Sequence, residues 1–221
     1  MQTVEFHCHT VYSPDSLTQP EQLLAACRKK GITRVIITDH NTIRGAQAAQ
    51  KLDPQRVIIG EEIMTTRGEL LAAFVQAEIP AGLTPQETIA RLRDQNAFIS
   101  VSHPFDVFRK GHWAWQDLLE ILPHVDALET FNARCMRNHF NTQATNLARE
   151  YGLPATVGSD AHTAGELGAA TLTLPDFHDA ESLRAVLYHG QPRVRLLPPW
   201  VHFASRWAKT VKGVRGKAVH R

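Results

Sequence analysis

The 221 residues are 43% hydrophobic, 21% charged and 7% aromatic, which is enough apolar mass for a buried core and too short a chain for two full-sized domains. That balance excludes global disorder and fibrous or collagen-like classes, and the longest uncharged stretches, such as the mostly polar segment 138–148, are far short of the roughly 20 apolar residues of a membrane span. The net charge of +2 is unevenly spread: Arg206, Lys209, Lys212, Arg215, Lys217 and Arg221 crowd residues 200–221 with no acid among them, so the body before them is acidic.

A strand pattern followed by a helix pattern recurs along the body. Val4 to His9 reads as a first strand, followed by a helix opened by Pro20 and closed by Gly31 after Arg28-Lys29-Lys30. Ile32 to Thr38 is a second strand and Arg44 to Leu52 a second helix. Arg56 to Glu62 and Glu69 to Val75 are strands joined by a hairpin turn at Thr65-Thr66-Arg67-Gly68. Thr84-Pro85-Gln86-Glu87 is a capping box for a helix to about Asn96. Strands follow at Ala97 to Ser102, Ala127 to Phe131, Ala155 to Ser159 and Thr171 to Leu174, between helices at Trp113 to Leu122, Asn138 to Tyr151 and Asp179 to His189. About seven βα units predict an α/β barrel with a parallel sheet. The break at Leu197-Pro198-Pro199-Trp200 divides the chain into a body, residues 1–197, and a basic amphipathic tail, residues 198–221.

The polar groups gather at one end of this plan. His7 and His9 lie two apart at the end of the first strand, where the period of two puts both on one face and Cys8 on the other. His40, His103, Asp160 and His162 each follow an apolar run, so they sit at the C-terminal ends of strands, where a barrel collects its active site. Histidines and carboxylates crowded at one mouth need a counter-charge, and this mixture suits Zn, Mn or Fe more than Ca or Mg. Glu129 ends a strand at the same mouth, as a contact for substrate or for a histidine. Arg134 is the favoured cation for a substrate phosphate, against a plain helix-surface reading, with Arg109 and Arg137 behind it. His112, His124, His139, His178, His189, His202 and His220 read as surface groups. Met1 to Glu5 has no secretory-signal character, and Cys8, Cys27 and Cys135 do not suggest a disulfide framework, so the expected compartment is the cytoplasm.

The motifs His7-Cys8-His9-Thr10, Ser13-Pro14-Asp15-Ser16, Ile37-Thr38-Asp39-His40-Asn41, Gly60-Glu61-Glu62-Ile63, Ser102-His103-Pro104 and Gly158-Ser159-Asp160-Ala161-His162 stand in an order that resembles the PHP family, the polymerase and histidinol phosphatase domain. The resemblance covers residues 4 to about 175. It implies a distorted (βα)7 barrel with a trinuclear metal centre that hydrolyses phosphate esters by a metal-activated hydroxide, and the expected cofactor is two or three divalent Mn, Zn or Fe ions. It also implies His7, His9, Asp15, His40, Glu62, His103, Asp160 and His162 as ligands. Relatives often place a histidine where this chain has Glu69. The hairpin would bring Glu69 close to Glu62, so a carboxylate can stand in for the imidazole. Asp15 also reads as a turn former, Glu61 as a solvated or supporting group beside Glu62, Asp39 as a loop cap or an acceptor for His40, and Glu69 as an exposed strand residue. Rival functions are a nuclease acting on nucleic-acid ends, an amidohydrolase-like hydrolase and a non-catalytic metal-stabilised module. The expected partner is a small phosphorylated substrate, with nucleic acid as an alternative.

In the tail, Trp200, Phe203, Trp207, Val211 and Val214 form one apolar stripe beside the basic residues, suited to packing on the barrel, to nucleic acid or to an anionic membrane surface. Order is expected to fade after about Lys212, because Gly213 and Gly216 weaken the last turns, and the tail is expected to be dispensable for small substrates.

Overall fold

The computed structural model describes the backbone of residues 1–219 and the side chains of residues 1–214; His220 and the tail's Arg221 lie outside the described residues. In chain order the elements are β1 (Gln2–Glu5), α1 (Pro20–Lys30), β2 (Arg34–Ile37), α2 (Arg44–Leu52), β3 (Val57–Met64), β4 (Glu69–Ala73), α3 (Pro85–Asp94) and β5 (Phe98–Val101). There follow α4 (Trp115–Ile121), β6 (Ala127–Asn132), α5 (Asn138–Glu150), β7 (Ala155–Gly158), β8 (Ala170–Leu174), α6 (Ala180–Val186), β9 (Gln191–Val194) and α7 (Val201–Val219). Local chemistry sets the helix ends. Pro20 opens α1 and Gly31, at φ 70°, closes it in the left-handed region. Thr84 and Glu87 satisfy each other's backbone N–H at the start of α3.

The nine strands form one sheet in the order β7-β6-β5-β4-β3-β2-β1-β8-β9. The sheet nearly closes on itself: past their ends β1 and β7 meet at Cys8 and Ala161, where the His9 N–H donates to the Ala161 carbonyl at 2.8 Å. The barrel-like α/β expectation therefore holds in its coarse form. The count of seven βα units does not. β3 turns straight back into an antiparallel β4, with Thr65 N–H bonded to the Gly68 carbonyl, and β8 and β9 pair antiparallel beside β1. β9 had no signal in the sequence, because all four of its residues are exposed and one is Pro192, so it shows none of the alternation of a half-buried strand.

Apolar side chains fill the space inside the strands. Phe6, Ile36, Ala73, Phe98, Ala127 and Val157, from β1's extension and five other strands, join one buried cluster, so the interior is packed and not a pore. A second cluster on Leu70, Leu92, Ile99, Trp113, Leu118 and Leu147 buries α3, α4 and α5 against the outer face of the sheet. Burying side chains of this size contributes about 1.5–3 kcal/mol each, which fixes the strand ends that carry the polar residues.

The last helix lies over the barrel end. Its aromatic residues Trp200, Phe203 and Trp207 face solvent, while Ser205 and Ala208 turn inward. Packing of the stripe on the barrel is thereby corrected: the surface beneath α7 is polar, offering Glu166, Arg134 and the carbonyls of Val11 and Ser13, and a small polar face fits it better than an aromatic one. The helix also continues through Val219, past Lys212, because an interior glycine costs only about 1 kcal/mol and does not by itself end a helix. Among the described residues no helix is long and apolar enough to cross a membrane.

Candidate metal centre

All nine sequence-predicted residues converge at the C-terminal end of the barrel. The imidazole Nε2 atoms of His7 and His9 lie 3.3 and 3.4 Å from Glu62 Oε2, and 3.6 and 3.3 Å from Asp160 Oδ1. His40 reaches Glu62 with Nδ1 at 3.0 Å and Asp15 with Nε2 at 3.4 Å, and His162 Nε2 lies 3.3 Å from the other Asp15 oxygen. His103 Nε2 is 3.2 Å from Glu62 and 3.5 Å from Glu69. Glu69 is buried and faces this cluster across the β3–β4 hairpin, so it is not an exposed strand position. Three groups bring their ligand atoms within 4.8 Å of one another: His9, His40 and His162; His7, His9 and Glu62; His40, Glu62 and Glu69. Their shared members His9, His40 and Glu62 link the groups into one site.

The backbone is bent to aim these side chains. His103 and Asp160 adopt φ of 21° and 51°, and Asn41, next to His40, adopts 54°; such strain in non-glycine residues persists where surrounding structure holds it. A side chain at Gly158 would collide with His7 and Glu129. Outer partners then fix the rings. Glu129 accepts from His7 Nδ1 at 2.9 Å and from the His103 N–H at 2.8 Å, so it is a contact of two of the predicted histidines. Asp39 does neither of the jobs considered for it at His40: it accepts from the Thr10 N–H, the Thr10 hydroxyl and the Ser13 hydroxyl, and Ser13 sits 3.1 Å from His9 Nδ1. Glu61 is buried and turned away, accepting from the Ile79 N–H at 3.0 Å, which corrects the solvated reading; burial pushes its carboxyl up to about 8. Cys8 points into the apolar layer on the other side, as the strand period requires.

Buried acids and imidazoles hold one another in unusual charge states here. Burial opposes ionisation of Glu62 and Asp160, yet His7 and His40 beside Glu62, and Arg109 and His7 beside Asp160, hold both well below the usual carboxylate range. Burial, with the Glu62 charge added, raises Glu69. Burial, with His162 and His40 nearby, lowers His9 to about 3, so this imidazole is neutral, the form in which it binds metal. His7 Nε2, His9 Nε2, Asp15 Oδ1, Glu62 Oε2 and Asp160 Oδ1 are buried with no hydrogen-bond partner. Orphaned donors and acceptors of this kind cost about 1–3 kcal/mol each, more when charged, and divalent cations bound among them would satisfy them. The residues therefore fit metal ions.

Arg134 does not belong to the mouth. Its guanidinium is 2% exposed, pairs with Glu166 at 2.9 Å and donates to Ser205 of α7 at 2.7 Å, which makes it a clamp between β6 and the last helix. Two other cations hold the place it was given. Arg109, ranked behind it, lies 2.5 Å from Asp160 Oδ2, and Lys209, unmarked by any motif, lies 3.2 Å from Asp15 Oδ2. Arg109 stands in the loop that follows His103, a cue of chain order alone. Lys209 comes from outside the body altogether, so the tail touches the site and the line drawn at residue 197 does not separate them.

The near-closed barrel thus collects buried histidines and carboxylates at its strand ends, the face on which α/β barrels carry their active sites, in groups that could hold metal ions. A PHP-associated family profile matches residues 138–192. An uncharacterized protein of Methanocaldococcus jannaschii is 40% identical over 142 residues, which span 58% of this chain and 81% of that protein. A protein named "Probable phosphatase" from Caldicellulosiruptor bescii is 22% identical over 206 residues, 77% of this chain and 84% of that one. A solved structure from Bifidobacterium adolescentis, described as a metal-dependent phosphoesterase, superposes with a TM-score of 0.63 at 18% identity over 85% of this chain and 96% of its own. The chain is therefore similar to PHP-associated proteins in sequence over residues 138–192, and shares the fold of a solved metal-dependent phosphoesterase.

Proposed function

We propose that the chain hydrolyses a small phosphate monoester or a closely related phosphoester at a multinuclear site held by His7, His9, Asp15, His40, Glu62, Glu69, His103, Asp160 and His162. The observation that carries this reading is the set of five buried, unpartnered ligand-type atoms on His7, His9, Asp15, Glu62 and Asp160. Bound Mn, Zn or Fe ions would supply Lewis acidity and lower the pKa of water near neutrality. The chain's own residues do the rest. Glu129 and Ser13 orient the His7 and His9 rings, and Asp39 holds Ser13 in turn. Arg109 and Lys209, now paired with Asp160 and Asp15, become available to an anionic substrate once those carboxylates are neutralised by cations. A planar guanidinium can grip two phosphate oxygens, and the lysine supplies a second positive charge.

That pair of cations favours a phosphoester over an amide, because an amide brings no charge for them to meet. It also favours catalysis over a purely structural metal role, which would need no cation at the rim. The test is a panel of sugar phosphates, histidinol phosphate, nucleotides and short oligonucleotides, assayed with Mn-, Zn- and Fe-reconstituted protein. Turnover of at least one phosphomonoester, lost in Asp160→Asn, is expected. Turnover of amides alone, or none with any metal bound, contradicts the proposal.

A further inference from the structure

The last helix leaves an apolar ridge without a partner. Trp200, Phe203 and Trp207 are 68%, 67% and 65% exposed, and Val214 continues the same line. By the helical period this ridge lies away from the inward face of Ser205 and Ala208, which is anchored to the barrel by Arg134. Lys212 fixes the far part of the helix to the carbonyls of Val11 and Ser13. The ridge is therefore presented outward on a helix that cannot roll to hide it. At the same end of the barrel, in the loop after β5, Val107 and Phe108 are also exposed.

Charge says what covers it. Residues 200–221 carry six Lys/Arg and no acid, whereas the body carries more acids than bases. Arg206 already lies against the Phe203 ring, 6.0 Å from its centroid, at the border of the ridge. Exposed tryptophans flanked by cations, on a helix lying along the surface, match the interface of an anionic bilayer, where the rings enter the acyl boundary and the cations meet the headgroups. An acidic body is repelled by the same surface, so the helix end is the one that faces it. A second copy is a poorer occupant, since a symmetric contact would set one basic helix against another. Nucleic acid is poorer too, because Val211 and Val214 extend the ridge with groups that neither stack on bases nor read them.

We propose that α7 docks the protein, ridge first, on an anionic phospholipid surface, holding the barrel mouth beside the membrane. The experiment is co-sedimentation of the full chain with phosphatidylglycerol/phosphatidylcholine vesicles and with pure phosphatidylcholine vesicles. The comparison protein combines Trp200→Ser, Phe203→Ser and Trp207→Ser, and its melting temperature should match the wild type because these side chains are exposed. Expected is binding to the anionic vesicles that weakens with added salt, with affinity at least about tenfold lower in the variant and near absent on pure phosphatidylcholine. A wild type that stays in the supernatant with anionic vesicles overturns the proposal. It does so whether the ridge is covered by a second copy, seen as a dimer that the variant dissociates, or retains a single-stranded oligonucleotide. Equal vesicle binding by wild type and variant overturns it as well.

Discussion

Asp160 sits where four lines of the site cross: His7, His9, His162 and Arg109 all approach its two oxygens. Asp160→Asn keeps its shape and removes its charge, so it should abolish phosphoester turnover and cut metal content, as measured by elemental analysis. A variant that turns over normally would detach the reaction from this cluster. The two arginines divide differently. Arg134→Ala should cost about 3 kcal/mol in denaturant unfolding, because Glu166 is left buried and unpaired. Arg109→Ala should raise KM for a phosphoester with a smaller effect on stability. Equal effects of both on KM would mean that the mouth extends farther than the geometry indicates. Glu69→His should keep metal and activity, since the position is buried against His40 and His103, whereas Glu69→Ala should lose one ion or bind it more weakly. Eight of the nine residues were legible because each ends an apolar run or stands in an ordered motif, and Glu69 only through the hairpin that brings it close to Glu62. Arg109 and Lys209 were not, because a long flexible cation reaches its target through tertiary packing and leaves no period in the sequence.

The β3–β4 hairpin and α7 carry what the individual residues cannot. The turn at residues 65–68 was readable from Gly68 and the flanking alternation, and it is what turns Glu69 toward Glu62. The helix ends were readable for the same kind of reason, as Pro20, Gly31 and the Thr84–Glu87 box act locally. The placement of α7 was not. Its stripe announced an amphipathic helix, but which face meets the barrel depends on Glu166, Arg134 and the Val11 and Ser13 carbonyls, more than thirty positions away in sequence. The contact of Lys209 with Asp15 also changes the expected result of truncation. Deleting residues 198–221 should lower kcat/KM for a small phosphoester by about tenfold, the loss of one charge-assisted hydrogen bond to substrate, and Lys209→Ala should reproduce most of it. Rates within twofold of wild type in both would return the helix to a role outside the active site.

Across the whole molecule, the packed lower barrel and the polar upper rim do opposite work. Strands that bury Phe6, Ile36 and Phe98 stabilise the fold and fix the rim, while the rim assembles carboxylates and imidazoles that repel and desolvate one another. Cations that bind the native rim and not the unfolded chain add stability, so chelation should lower the melting temperature and re-addition of Mn or Zn should restore it. The general architecture was legible from recurring strand and helix patterns. The number of strands and the direction of the last two were not, since β8 and β9 run antiparallel by connections that the hydrophobic period does not encode.

The central claim is that these nine side chains form one multinuclear site. Elemental analysis of the purified full chain, with equilibrium dialysis against Mn, Zn and Fe, tests it most directly. Roughly two or three ions per chain are predicted, falling together in Asp160→Asn. A folded chain that binds no more than one ion with all nine residues intact would contradict the account.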